Sequence, residues 1–182
     1  MNRQEIMQKD AEFVMNTYKR LPVVAKHASK AALFDVDGTE YIDFAAGIGV
    51  NALGSADAQW VEAVTSQMKN IAHTSNYYYS EPVVTLAEKL VRLSGMSKVF
   101  FANSGAEANE GALKLARKYS FDKYGSGRNV IVTLKNSFHG RTMTTITMTG
   151  QDRFHKYYAP FAEGIKDVYK RQGLSGFVQS YA

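Results

Sequence analysis

The segment that most constrains this chain runs from Lys98 to Tyr119, where a short apolar run passes through small residues into a helix-forming sequence. The run Lys98-Val99-Phe100-Phe101 predicts a buried strand, and Ser104 is suited to begin the helix as its N-cap. A strand that leads directly into a helix is typical of an α/β sheet. The first turn of such a helix has unpaired N–H groups, and these groups and the helix dipole favour a bound phosphate.

Gly105 and Ala106 are the candidate phosphate ligands, because their backbone N–H groups lie in that first turn. Gly105 has no Cβ, so a ligand can approach its backbone closely. The hydroxyl of Ser104 is placed to assist them. An ordinary strand-to-helix connection without a ligand explains the local pattern equally well, so the assignment depends on evidence from elsewhere in the chain.

A second stretch of this kind follows the helix. Asn129–Leu134 predicts a buried strand, and the polar loop Lys135–Thr142 comes directly after it. Ligands of open parallel sheets lie at the carboxyl ends of the strands, so we expect both loops to face one crevice. The ring of Phe138 and the guanidinium of Arg141, beside a phosphate-binding turn, suit a flat, phosphorylated anion. Taken singly, a core position for Phe138 and a surface ion pair for Arg141 remain open.

The remaining pattern predicts helices and one hairpin. Apolar residues at helical spacing predict helices in three further segments: near residues 4–18, after Asp57 and after Ser80. Ala32–Val36 and Tyr41–Phe44 predict two antiparallel strands, because Asp37-Gly38 between them suits a tight two-residue turn. The alternation of strands and helices places the chain in the α/β class.

Composition excludes several kinds of protein. The net charge is +5, but lysine and arginine are scattered among acidic residues with no basic run, so we expect no nucleic-acid partner. The chain has no cysteine, which excludes disulfides and cysteine-ligated metals, and we expect no metal site. The polar N-terminus and the lack of a long apolar run predict no signal peptide, no membrane span and a cytoplasmic location.

Seven motifs stand in a fixed order along the chain: Met15–Tyr18, Asp37-Gly38 with Tyr41–Phe44, Gly47–Gly54, His73–Tyr78, Asn103–Glu110, Ser137–Thr142 and Thr149–Gln151. In this combination and order they resemble the class III aminotransferases, the pyridoxal-phosphate-dependent family of ornithine, acetylornithine and 4-aminobutyrate type. The residues of these motifs are most similar to those of the acetylornithine branch of that family.

The resemblance implies a fold and a domain organisation. The fold is α/β, the N-terminal part of the fold-type I (aspartate aminotransferase-like) transferase fold, ending within its large mixed-sheet domain. Residues 1–54 correspond to a segment of the small domain with a helix and a hairpin, residues 55–168 to the first part of the large cofactor-binding domain, and residues 169–182 to no part of the family pattern. It also implies a helix over Thr142–Met148, where composition alone favours a strand.

The resemblance further implies a cofactor, substrates and site residues. Pyridoxal 5'-phosphate would bind through Gly105, Ala106 and the stacked ring of Phe138, and Arg141 would receive the α-carboxylate of the substrate. The reaction would pass an amino group from N-acetylornithine, or an ornithine-like donor, to 2-oxoglutarate in arginine biosynthesis. The full-length family member is expected to be a homodimer.

The sequence departs from the family because two of the family's functional residues are missing. The Schiff-base lysine of the family, and the aspartate that pairs with the cofactor ring, have no counterpart among these residues, so no catalytic residue is nominated. We therefore expect an incomplete fragment that is inactive alone, or a half-subunit that depends on a partner. Another class III transaminase, acting on ornithine, 4-aminobutyrate or succinylornithine, stays open as an alternative. Gly54–Ala58 also replaces the usual Gly-His-x-His-Pro.

Overall fold

The computed structural model describes residues 1–168. The helices are α1 (Arg3–Phe13), α2 (Ala58–Asn70), α3 (Glu81–Ser94), α4 (Gly105–Tyr124) and α5 (Met143–Met148), with a 3-10 turn at Asp152–Phe154. The strands are β1 (Ala25–Ser29), β2 (Ala32–Asp35), β3 (Glu40–Ile42), β4 (Ile131–Leu134) and β5 (Ile165–Val168). The chain divides into two compact units, Met1–Ser80 and the residues from Glu81 onward.

The first unit contains an antiparallel sheet in the order β1-β2-β3. The predicted hairpin is confirmed, with Leu33 opposite Tyr41, but the predicted two-residue turn is wrong. The connection is longer: the Gly38 N–H donates to the Asp35 carbonyl (3.1 Å), and the Asp35 N–H donates to the Thr39 carbonyl (3.0 Å). Gly38 takes a φ of +86°, a left-handed conformation that glycine adopts without strain.

The carboxylate of Asp35 explains the longer turn. It accepts the N–H groups of Asp37 (3.0 Å) and Thr39 (2.9 Å), the hydroxyl of Tyr41 (3.0 Å) and the guanidinium of Arg3 (2.7 Å). Asp35 is 1% exposed, so these bonds replace the water that the carboxylate has lost. Burial by itself would raise the pKa of Asp35, but the hydrogen bonds and the Arg3 charge together lower it below its ordinary 3.8.

Side-chain caps and strand pairing explain where the other elements of the first unit form. Asn2 and Glu5 make a reciprocal capping box at the start of α1, and the Asp57 carboxylate caps α2 by accepting from the Trp60 N–H (2.9 Å). Both helices were predicted from sequence. Strand β1 was not, because its alanine, lysine and serine residues have low strand propensity. It is held by antiparallel pairing with β2.

The second unit is built on the long helix α4 and the parallel pair β4-β5. The Ser104 side chain caps α4 by accepting from the Glu107 N–H (3.2 Å), as predicted. Strand β4 is also confirmed, and its register pairs Ile131 with Ile165. Residues 143–148 form a helix, which confirms the choice of helix over strand there.

The strand predicted at Lys98–Phe101 is wrong in the part of the chain that the structure describes. These residues pair with none of the five strands. A strand exists only where its backbone groups are hydrogen-bonded to a neighbour, and the apolar run lacks one here. The ring of Phe100 lies instead against Gly111 of α4, where an added Cβ would come within 2.7 Å of the ring.

The buried core of the described residues is small and partly polar. Its apolar members are Leu113, Ile146 and Met148, and its polar members are Asp35, Thr133, Thr145 and Thr149. Many large apolar side chains of the helices are exposed. The domain limits predicted at residues 54 and 168 stay predictions, and the segment 169–182 lies outside the described residues.

Candidate functional site

The first turn of α4 presents its backbone to open space. Gly105 and Ala106 lie directly after the cap Ser104, where a helix has no carbonyl to accept their N–H groups. A Cβ added at Gly105 would have no heavy atom within 4 Å. The Asn103 N–H donates to the Glu107 carboxylate (2.7 Å), which fixes the chain as it enters the helix. The turn therefore offers two N–H donors to a ligand that can reach them.

The loop after β4 packs directly on this turn. Gly140 is buried and has a φ of +134°, and a Cβ placed on it would lie 2.6 Å from the Ala106 Cβ and 2.6 Å from the Thr145 hydroxyl oxygen. Only glycine permits this approach without displacing a neighbour. The two stretches that sequence analysis singled out are thus in van der Waals contact, at Gly140 and Ala106.

Hydrogen bonds hold the same loop on both sides of His139. The Asn109 side-chain amide in α4 donates to the His139 carbonyl (2.8 Å), and the His139 N–H donates to the Thr149 hydroxyl (3.0 Å). The Thr149 hydroxyl in turn donates to the Thr145 carbonyl (2.9 Å). Thr145 and Thr149 are both fully buried, so their positions are fixed by packing as well as by these bonds.

Helix α5 begins at the end of this loop. Thr142 is its N-cap and accepts from the Thr145 N–H (3.2 Å), while the Thr145 hydroxyl accepts from the Thr142 N–H (3.0 Å). The Thr142 hydroxyl also donates to the Glu110 carboxylate of α4. These bonds connect the second turn of α4 to the first turn of α5, at the end of the loop that carries Phe138 and Arg141.

The side chains of Phe138 and Arg141 on this loop are exposed. Phe138 is 54% exposed, which excludes the core position that sequence analysis left open, and its ring touches Phe154 edge-on at 5.6 Å between centroids. The guanidinium carbon of Arg141 lies 5.5 Å from the centroid of the same Phe154 ring. One aromatic ring thus contacts both candidate ligand-binding side chains.

The structure therefore brings together the loops of all the predicted site residues, and it adds residues that sequence reasoning missed. Asn109, Thr145 and Thr149 were not nominated. Asn109 had a detectable signal, because asparagine inside a helix is unfavourable unless its amide finds a partner. Thr145 and Thr149 stand four residues apart, the spacing that puts two side chains on one helical face.

The donor set suits a phosphorylated aromatic ligand. The first turn of α4 supplies N–H donors beside free space, and an exposed ring stands on the loop packed against it. Within residues 1–168 no three histidine, aspartate or glutamate side chains are grouped to hold a metal. No helix in that same part of the chain has the length and apolar character to cross a membrane.

Comparison with known proteins places these features in a family. The sequence model of the family Aminotransferase class-III matches residues 13–174. The match ends six residues beyond residue 168, where the family pattern was predicted to end. An acetylornithine aminotransferase of Haemophilus ducreyi is 51% identical over 168 residues, which cover 92% of this chain and 43% of that protein. A succinylornithine transaminase of Photorhabdus laumondii is 50% identical over 147 residues, which cover 81% of this chain and 36% of that protein.

Solved structures agree on the fold. An ornithine aminotransferase of Toxoplasma gondii ME49 matches 93% of this chain and 41% of its own with a TM-score of 0.87 at 24% identity. A Bacillus anthracis aminotransferase matches 91% of this chain and 38% of its own with a TM-score of 0.85 at 32% identity. The chain spans about two fifths of the length of these relatives. It belongs to the class III aminotransferases, a family that depends on pyridoxal phosphate.

Proposed function

We propose that this chain supplies part of the active site of an acetylornithine aminotransferase, which passes the amino group of N-acetylornithine to 2-oxoglutarate with pyridoxal phosphate as cofactor. The reaction belongs to arginine biosynthesis, and the working enzyme is a cytoplasmic homodimer. The names of the similar proteins support the donor, because relatives at 51% and 44% identity are acetylornithine aminotransferases. The site described above supports the mode of cofactor binding.

The contact between Gly140 and Ala106 carries this proposal. It packs the loop of Phe138 and Arg141 against the first turn of α4. These neighbouring segments can therefore bind the phosphate and ring of the cofactor and the carboxylate of the substrate together. Neither segment alone distinguishes a ligand site from an ordinary helix start. Their direct packing is the arrangement expected of two loops that share a ligand.

Gly105 and Ala106 hold the cofactor phosphate in this proposal. Their N–H groups donate to the phosphate oxygens, and the positive end of the α4 dipole adds to the attraction. The Ser104 oxygen already accepts from the Glu107 N–H, so its own O–H remains to donate to the phosphate. Charge-assisted hydrogen bonds of this kind contribute roughly 1.5–3 kcal/mol each.

Phe138 and Arg141 bind the ring and the substrate. The exposed face of Phe138 stacks on the cofactor ring, which contributes about 0.5–1.5 kcal/mol beyond the area that it buries. The planar guanidinium of Arg141 donates two parallel hydrogen bonds to the α-carboxylate of the amino donor and so orients its reacting carbon. When bound, the cofactor supplies the aldehyde and the electron-accepting ring needed for amino transfer.

A succinylated donor is the second candidate. The relative from Photorhabdus laumondii, a succinylornithine transaminase, is nearly as similar to this chain as the acetylornithine enzymes. Both donors carry the α-carboxylate that Arg141 would bind, and they differ only in the acyl group at the far end. Measuring kcat/KM of a complete enzyme for N-acetylornithine and N-succinylornithine separates the two assignments.

Replacing Arg141 tests the proposed function. In a complete enzyme that carries the Schiff-base lysine, we expect Arg141→Lys to raise the KM for the amino donor about tenfold or more, because lysine keeps the charge but loses the planar fork. Arg153→Lys is the matched control, since the guanidinium carbon of Arg153 also lies over the Phe154 ring, at 4.7 Å, and we expect its KM within twofold of wild type.

The same assay separates the alternatives. Unchanged donor kinetics in Arg141→Lys would remove Arg141 from the carboxylate site. Bound cofactor with no amino transfer to 2-oxoglutarate by this chain alone would favour the alternative of a half-subunit that depends on a partner.

A further inference from the structure

We propose that Asn109 is a positioning residue of this site, which holds the backbone at His139 and so fixes Phe138 and Arg141 relative to the first turn of α4. Its effect on ligand binding rests on the proposed function above. Its effect on the loop rests only on the contacts of the described residues.

The contacts around His139 form a clamp, by which we mean the bonds of Asn109 and Thr149 to its backbone. Asn109 lies one helical turn beyond Gly105, and its amide donates to the His139 carbonyl at 2.8 Å. The N–H of His139 donates to Thr149 at 3.0 Å. These two groups belong to different peptide units, one joined to Phe138 and the other leading to Gly140. The clamp therefore restrains the backbone on both sides of His139.

Each half of the clamp comes from a rigid support. Asn109 is in the second turn of a 20-residue helix, and Thr149 is fully buried with its hydroxyl bonded to Thr145. Phe138 contributes little to its own placement, because it is 54% exposed and touches Phe154 only at an edge. A half-exposed ring needs a fixed backbone if it is to stack on a ligand held by another element. The clamp supplies that fixed backbone.

The first experiment measures the loop without any ligand. Asn109→Leu keeps the approximate size of the side chain but cannot donate, and we expect the His139 amide to exchange hydrogen at least about tenfold faster, with the amides of β4 unchanged within twofold. Asn129→Leu, at the opposite end of β4, is the matched control and should leave His139 as in wild type. Equal acceleration at His139 and in β4 would show general destabilisation and overturn the proposal.

The opposite side of the clamp gives a second pair of variants. Thr149→Val removes the hydroxyl that accepts from His139, whereas Thr149→Ser keeps it. We expect fast exchange at His139 in the valine variant and recovery to within about threefold of wild type in the serine variant. Failure of serine to recover the protection would mean that packing of the threonine methyl, and not the clamp, holds the loop.

The second experiment measures whether the clamp acts through Phe138. Dissociation constants for pyridoxal phosphate are compared for wild type, Asn109→Leu, Phe138→Ala and the double variant. We expect each single change to weaken binding by about three- to tenfold, and the double change to weaken it no further than about twofold beyond either. The affinity for inorganic phosphate, which touches only the first turn of α4, should stay within twofold.

The outcomes distinguish this proposal from the proposed function. Additive losses in the double variant, or equal losses for inorganic phosphate, would overturn the role of Asn109 in placing Phe138. Absence of pyridoxal phosphate binding in wild type would refute the proposed function, while the exchange of His139 would still decide whether Asn109 positions the loop.

Discussion

Two buried polar networks, one in each unit, differ in whether they leave side chains exposed beside them. In the first unit the Asp35 carboxylate accepts hydrogen bonds from four donors of the protein, so its oxygens are used within the hairpin and not by a ligand. In the second unit the Thr149 hydroxyl bonds backbone groups of His139 and Thr145, and the nearby Phe138 ring is 54% exposed. The first arrangement stabilises a hairpin, whereas the second supports the loop of the proposed binding site.

The largest effect should come from removing the centre of the first network. Asp35→Ala leaves the Arg3 guanidinium and two backbone N–H groups without their acceptor, and we expect the folding equilibrium constant of the first unit to fall by a factor of about 100 or more. Urea unfolding followed by far-ultraviolet circular dichroism measures this. Asp37→Ala is the control, because Asp37 also contacts Arg3 at 2.7 Å but is exposed, and it should change little. Equal effects of the two variants would mean that burial of Asp35 is unimportant.

The next effect should come from the close contact in the second unit. Gly140→Ala places a methyl group where Ala106 and Thr145 already stand, in a backbone conformation that favours glycine, and we expect a loss of about 2–4 kcal/mol in the free energy of unfolding. Gly105→Ala, where the added methyl meets open space, is the control and should cost nothing measurable. A stable Gly140→Ala variant with unchanged ligand binding would contradict the packing on which the site depends.

A smaller effect should appear as a dependence on pH. The folded pKa of Asp35 is lowered, so its contribution to stability is present above the unfolded value near 3.8 and is lost as pH falls below it through the folded pKa. We expect the first unit to lose stability progressively below about pH 4, and Asp35→Asn, which does not titrate, to lose less over that range. A parallel decline in the two proteins would assign the acid sensitivity to other carboxylates.

The same comparison explains what could be predicted from the sequence. Local signals were sufficient for helix α4 with its cap Ser104 and for strand β4, because caps and apolar runs act within a few residues. The Asp35 network was not predictable, since its Arg3 partner is 32 residues away. The strand expected at Lys98–Phe101 failed for a related reason, because pairing depends on a neighbour that the local sequence does not specify.

The residues of the candidate site also fall into those that the sequence predicted and those that it did not. The sequence indicated Gly105, Phe138 and Arg141 as the proposed ligand-binding residues, since their types match the chemistry of phosphate, ring and carboxylate. It did not indicate Asn109 or Thr149, whose bonds to His139 depend on how α4 and α5 pack around the loop. Residues that support a site are chosen by the geometry of the fold, and that geometry is set by tertiary contacts.

Binding of pyridoxal phosphate and of pyridoxal, compared by equilibrium dialysis, tests the central claim most directly. The two ligands share the ring and differ only in the phosphate, so the account predicts that wild type binds pyridoxal at least about tenfold more weakly. Gly105→Val should bind the two ligands with similar weak affinity, because its side chain fills the space through which the phosphate reaches the first turn of α4. Ala112→Val, at an exposed position of the same helix, should behave as wild type. Equal affinity of wild type for both ligands, or full phosphate discrimination in Gly105→Val, would contradict the account.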